Sequence, residues 1–480
     1  MNFNDLDFII FFSVVLITLI ILKNKKYQYL FLLFASYFFY YTFSNYYFLL
    51  LIYITIITYY TGKYIHSCEE TNKRKLAVWI GIIASLSVLI YFKYTNFFLD
   101  NVYSLFHLNF SYRLVDVILP IGISFYTFSG LSYIIDIYLK KIKPSETFYK
   151  YALFVSFFPH LLAGPIVRAS QFLPQLEQKI VIDPFNVKLG TTRIFWGLIK
   201  KFIIADTIAP FVNDGFTNPF GLSSFAVIKL AFLFGLQIYF DFSGYCDIAL
   251  GLAQIIGLHL PENFDNPYFA VNPTLFWRKW NITLSSFIRD YVYIPLGGNR
   301  KGEIRKSLNL LFSMGLCGLW HGAAWNFVFW GIYHGILLNI HKFFMKANVK
   351  LNFLVNPTPA NTIIKIVITQ YFIFFGWLMF RLHNVNALIY CMNKYIFFDF
   401  NLTKIQVYTI ILMSALLIVL IIMLTLEKPK KVLSSFYSRN WILSIANLKT
   451  RYWLIFISVS CFTYLCLLPE KAPEFIYFQF

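Results

Sequence analysis

Within LCGLWHGAAWNFVFWGIYHG (residues 316–335), His321 stands between Trp320 and Gly322 in a stretch otherwise dominated by apolar and small residues. A neutral imidazole shielded from water can take a proton from a hydroxyl and later return it, the work of a general base and acid. Ionisable groups at membrane depth are costly and usually face a cavity or a partner. Counted from Lys306, His321 lies about 22 Å along its segment, out of reach of the basic end. Gly315, Gly318 and Gly322 thin the helix there, letting a substrate or another backbone come close. The competing reading is a core histidine bonded to a neighbouring helix. A second imidazole, His334, follows 13 positions later. On an unbroken helix that is about 220° of rotation and roughly 20 Å of rise, so the two are not expected to share a proton and His334 is assigned a structural role. Neither H-x-x-H nor H-E-x-x-H occurs, so no metal site is expected.

Four further groups of residues have chemical potential. NPTLFWRKWNITLSSFIRDYVYIPLGGNR (272–300) interleaves Trp277, Arg278, Lys279, Trp280, Phe287, Ile288 and Tyr291. Basic and aromatic residues mixed in this way are typical of a helix lying at the headgroup level. Asp241 and Asp247, in YFDFSGYCDIALG, are carboxylates beside apolar sequence; about 240° apart on a helix, they make a poor dyad and are assigned to holding the scaffold through hydrogen bonds to neighbouring helices. The last six residues, FIYFQF, are too apolar for a solvated tail and should dock into a groove. His160 and Arg168 flank LLAGPIV, where Gly164 and Pro165 predict a broken helix.

The elements that must position these groups are membrane helices. Of 480 residues 59% are hydrophobic, 21% aromatic and 13% charged, so apolar runs recur along the whole length. At about 20 apolar residues per span, the runs predict an all-α polytopic membrane protein of about eleven transmembrane helices, with re-entrant or interfacial pieces shielded by protein. One run is read from 307 to 340, another from 404 to 426. The first run is followed by KNKK rather than a cleavage site and is not a removable signal. The net charge of +19 sits in clusters between apolar runs, at 23–26, 72–75, 140–143, 299–306 and 427–431. That spacing marks cytoplasmic loops and argues against a nucleic-acid partner. Residues 1–480 form one membrane domain with the bilayer as its surroundings, and the basic 428–451 segment places the 470–480 tail on the outer face. The six cysteines have no metal-type spacing.

FWRKWNITLSSFIRDYVYIPLGGNR followed by GLWHGAAWNFVFWGIYHG resembles the membrane-bound O-acyltransferase (MBOAT) family, in its bacterial branch of alginate and peptidoglycan O-acetylation components and teichoic acid D-alanyl transfer proteins. LPIGISFYTFSGLSYIIDIY, FFPHLLAGPIVR, GLQIYFDFSGYCDIALGLA and LPENFDNPY extend the likeness over most of the chain. The resemblance implies helices around a central tunnel, with His321 as the catalytic histidine of the Trp-His-Gly motif. The second functional position, often histidine in this branch, is Asn281 here; an amide cannot act as a base, but it can orient a carbonyl or hydroxyl. Trp280, Arg278, Trp320, His334, Asp241 and Asp247 are the supporting or tunnel-lining candidates. The ending resembles a Phe-x-Tyr-x-x-Phe motif in which the tyrosine carries the acyl group, which falls on Tyr477. The implied reaction needs no bound cofactor. It takes an acyl group from a cytoplasmic thioester such as acetyl-CoA, in the bacterial cytoplasmic membrane, to an extracytoplasmic serine esterase-like (SGNH) acetyltransferase acting on a surface polysaccharide. D-alanyl transfer to teichoic acid from a carrier protein is the alternative within the family. A proton-coupled transporter is the alternative outside it, for which internal symmetry is the expected sign and is not found.

Overall fold

The computed structural model describes residues 1, 3–107, 119–300, 302–346, 358–399, 440–467 and 475. Every regular element among them is a helix. Five helical stretches are long and apolar enough to cross a membrane: Lys25–Ser67, Thr71–Phe106, Ser224–Ile256, Pro359–Arg381 and Thr450–Leu467. Leu6–Ile21 is a shorter apolar helix. The chain is therefore an all-α, multi-pass membrane architecture, as its apolar runs require. The run expected at 404–426, and Tyr477 with the rest of the tail beyond Phe475, lie outside the described residues.

The run read from 307 to 340 is not one helix. Glu303–His321 stops at the imidazole, Gly322 is extended, and Trp325–Lys346 begins a second helix that packs back along the first. Glycine makes the crossing possible. A Cβ at Gly318 would overlap the Phe327 carbonyl oxygen, and one at Gly331 would overlap that of Met314. The backbones thus touch where a side chain would separate them, the close approach that small residues permit in membranes. Gly318 serves helix packing, whereas Gly315 has only Ile332 in ordinary contact at 3.6 Å.

The segment Pro184–Leu198, a widened turn at Ile199–Ala205 and Asp206–Thr217 run beside Ser224–Ile256. Gly190 meets Gly251 and Gly197 meets Gly244, so two pairs seven residues apart bring these backbones together. The piece expected to break does so: Phe148–Ser156 and Phe158–Leu161 give way to irregular backbone through Gly164 and Pro165, all of it buried in protein. Basic clusters converge on one end. Arg74 donates to the Tyr138 carbonyl (3.2 Å), Lys25 to that of Glu177 (3.0 Å), and Lys150 pairs with the Glu177 carboxylate (2.8 Å). Elsewhere residues near the two ends of the sequence meet on one ring: Tyr245 packs at a tilt against Phe3 at 5.0 Å and against Phe475 at 4.6 Å between centroids.

The crossing generates a comparison. Overpacking a tight contact costs about 1–3 kcal/mol. Gly331→Ala should therefore lower the thermal unfolding midpoint of the purified protein in detergent by several degrees, while Gly315→Ala leaves it nearly unchanged. Equal midpoints for the two variants would remove the argument for backbone contact at Gly331.

Candidate active site

His321 is the last residue of its helix, and its position follows from how that end is held. A helix terminus leaves carbonyls without intrahelical donors. Here another helix supplies them: Tyr94 donates its hydroxyl to Leu319 O (2.9 Å), and Lys93 donates to Trp320 O (2.6 Å) and His321 O (3.0 Å). The imidazole itself is 2% exposed. Trp320, Trp330 and Phe380 surround it at 4.9, 5.1 and 5.3 Å between ring centroids, each near edge-to-face. On its open side lies a cavity shared with Lys93, Pro120, Gly122, Phe125 and Leu162. An imidazole so placed can exchange a proton with a group in that cavity.

The helix break changes the relation of the two histidines. The expected 20 Å separation assumed continuity, but the chain folds back and His334 lies against the other side of Trp330, 4.8 Å between centroids. Its Nδ1 accepts from Trp277 Nε1 at 3.4 Å, and it is fully buried. His321 and His334 therefore share one tryptophan.

In the 272–300 segment Phe276, Trp277, Trp280, Phe287 and Ile288 are buried in protein, whereas Arg278 is exposed. Burial follows from a break into two short helices, Pro273–Lys279 and Ile282–Ile288, with Asn281 at the corner in a left-handed conformation (φ 41°). Asparagine tolerates that region better than most residues. Asn263 fixes the corner, since its backbone carbonyl accepts from Ile282 N (2.9 Å) and its Oδ1 from Thr283 N and Oγ1 (3.1 and 2.8 Å). Asn281 is 2% exposed. From it to His321 the route runs through rings: Trp280 to Trp377 (5.0 Å), Trp377 to Trp330 (5.8 Å), Trp330 to His321.

Asp241 and Asp247 face Pro184–Thr217, and the bonds they make are ion pairs. The widened turn presents two successive lysines: Lys200 to Asp247 (2.6 Å), Lys201 to Asp241 (2.7 Å) and to Asp206 (2.8 Å). Arg193 adds a contact to Asp247 (2.9 Å) and a forked pair to Glu262 (2.8 and 2.6 Å). Three cations thus neutralise most of four carboxylates, and Lys200 also lies over the Tyr239 ring that packs on Trp280. His160 is buried against Phe157 and Phe172, and Arg168 pairs with Asp290 (2.7 Å).

The structure therefore gathers His321, Trp320 and His334 at the hairpin, Trp280 and Asn281 at the corner, and the two aspartates in an ion network. Sequence reasoning missed Lys93, Asn263, Trp330, Trp377 and the Arg193–Lys200–Lys201 set. A lysine in the middle of LSVLIYFKYTNFF was the legible signal.

An all-helical membrane protein with a buried imidazole at a cavity is a scaffold for acyl or proton chemistry, and comparison decides between them. The chain belongs to the MBOAT, membrane-bound O-acyltransferase family, whose model matches residues 30–385. It is an O-acyltransferase. It is 37% identical over 358 residues to the peptidoglycan O-acetyltransferase of Helicobacter pylori, covering 69% of this chain and 67% of that protein. It is 35% identical over 373 residues to the probable alginate O-acetylase of Azotobacter vinelandii (75% and 72%). It is 32% identical over 277 residues to the teichoic acid D-alanyltransferase of Bacillus subtilis (54% and 68%).

Removing one partner of a buried ion pair costs about 3–5 kcal/mol. Lys201→Met strands two carboxylates and should lower the unfolding midpoint sharply, and adding Asp206→Asn and Asp241→Asn should restore most of the loss. A single variant as stable as the parent would show that the network contributes nothing to the fold.

Proposed function

We propose that this enzyme moves an acetyl group from a cytoplasmic thioester, acetyl-CoA, through the bacterial cytoplasmic membrane for O-acetylation of a surface polysaccharide such as peptidoglycan or an alginate-like polymer. The observation that carries the reading is the imidazole of His321, held at the end of a broken helix with a cavity on its open side. Acetyl is preferred to D-alanyl because the O-acetylating relatives match more of this chain at higher identity.

In the reaction, His321 takes the proton of an attacking hydroxyl as its oxygen bonds to the thioester carbonyl carbon. The tetrahedral intermediate then collapses, the carbon–sulfur bond breaks, and the thiolate leaves with the proton returned by the imidazolium. Asn281 orients or stabilises the carbonyl oxygen, a role amide donors fill in other acyl transfers. The attacking hydroxyl is that of Tyr477, whose aryl ester is activated enough to pass the acetyl group to a serine esterase-like acetyltransferase on the outer face. Trp320, Trp330 and Phe380 keep water from the thioester.

His321→Ala should abolish polymer acetylation, measured as base-released acetate, at normal membrane abundance of the protein. Acetylation near the parental level would sink the assignment. For the tail, Tyr477→Phe keeps the ring and deletes only the hydroxyl. If Tyr477 is the carrier, this variant and a deletion of residues 475–480 are equally inactive, and the terminal peptide of the intact chain carries a small fraction of added acetyl mass. An active Tyr477→Phe alongside an inactive deletion leaves the tail as a plug without chemistry. Asn281→Ala should slow turnover about 100- to 1,000-fold, as loss of one oxyanion donor typically does, and Asn281→Asp should be worse; full activity in the aspartate variant removes Asn281 from the reacting carbonyl.

A further inference from the structure

We propose that Lys93 is a positioning residue for His321, holding the imidazole at the cavity wall by its grip on the helix end. The inference rests on the reading of His321 as the base.

Lys93 stands in the middle of the 36-residue helix Thr71–Phe106, about 27 Å beyond Lys75. It is too deep to reach the basic first turn of its helix at 72–75, and an ammonium at this depth needs partners. Those it has are the final two carbonyls of the helix that ends at His321, at 2.6 and 3.0 Å, with the neighbouring Tyr94 on the third. The backbone turns extended at Gly322, so intrahelical donors are gone. A cation at a helix C-terminus also complements the helix dipole. Lys93 lines the same cavity as His321 and Trp320, and its ammonium lies 5.9 Å from the Trp320 ring. One side chain therefore fixes the backbone of the reacting residue, contacts the ring beside it and faces the space where substrate would sit. Without it, the last turn carries two unpaired carbonyls in a water-poor region and unwinds toward other donors. The imidazole is one residue from that unwinding.

A positioning role separates from packing by what is lost and what restores it. The full-length protein in proteoliposomes, with acetyl-CoA as the probe and thiol release as the readout, gives both constants for Lys93→Met, Lys93→Arg, Lys93→Ala and His321→Ala. A misplacement of about 1 Å costs about 100-fold in rate, so Lys93→Met should lose about that in kcat with KM for acetyl-CoA little changed. Lys93→Arg should recover most of it, and added ethylammonium should partly restore Lys93→Ala, keeping the test open even if the methionine variant does not fold. Parental kcat in Lys93→Met, a loss confined to KM, or no recovery with arginine or ethylammonium overturns the proposal. With His321→Ala inactive, those results condemn Lys93 alone. An active His321→Ala overturns both this inference and the reading of His321 on which it rests.

Discussion

A helix that stops inside a membrane exposes carbonyls that no water can satisfy, and the arrangement around His321 answers that constraint. The Glu303–His321 helix ends buried in protein because the chain turns back at Gly322, and the hairpin closes because Gly318 and Gly331 let the two backbones touch. The stranded carbonyls then require donors from elsewhere, which Lys93 and Tyr94 bring from the Thr71–Phe106 helix. Remove the break and the imidazole is another side chain on a continuous span. With it, the imidazole sits at a terminus and faces a cavity.

Charge and aromaticity are divided between two regions. Around His321 the walls are Trp320, Trp330 and Phe380; around Asp241 and Asp247 they are Arg193, Lys200 and Lys201. Buried ion pairs seldom repay their desolvation beyond what a well-packed apolar core would give. Their use here is alignment, since pairing successive lysines with carboxylates six residues apart fixes the rotation of Ser224–Ile256 against Pro184–Thr217. Through Tyr239 and Trp280 that alignment reaches the corner bearing Asn281.

Much of this was legible in the sequence. The apolar runs gave an all-helical membrane protein, and an isolated imidazole beside glycines singled out His321, which the structure buries beside a cavity, in a chain that comparison places among O-acyltransferases. The break after His321 was not legible, because Gly322, Ala323 and Ala324 keep an apolar helix plausible and only the return of Trp325–Lys346 onto the first helix decides against it. The corner in 272–300 was not legible for a related reason: tryptophan beside arginine has the same composition at a membrane surface and at a buried corner, and Asn263, which holds that corner, comes from another stretch. Lys93 pairs across 227 and 228 residues with two carbonyls, and backbone acceptors leave no mark in a sequence.

The shared ring at Tyr245 bears on how the protein is made. Phe3 and Phe475 pack on the same side chain, yet 472 residues of synthesis separate them. At about 5–20 residues per second, roughly 12–46 s separate the synthesis of Tyr245 from that of Phe475, and for that time, of the two, only Phe3 can cover the ring. Closing so long a loop adds only modest entropy cost, because that cost grows logarithmically with length. A chain truncated before Phe475 thus leaves both Tyr245 and Phe242 without the ring that packs on them.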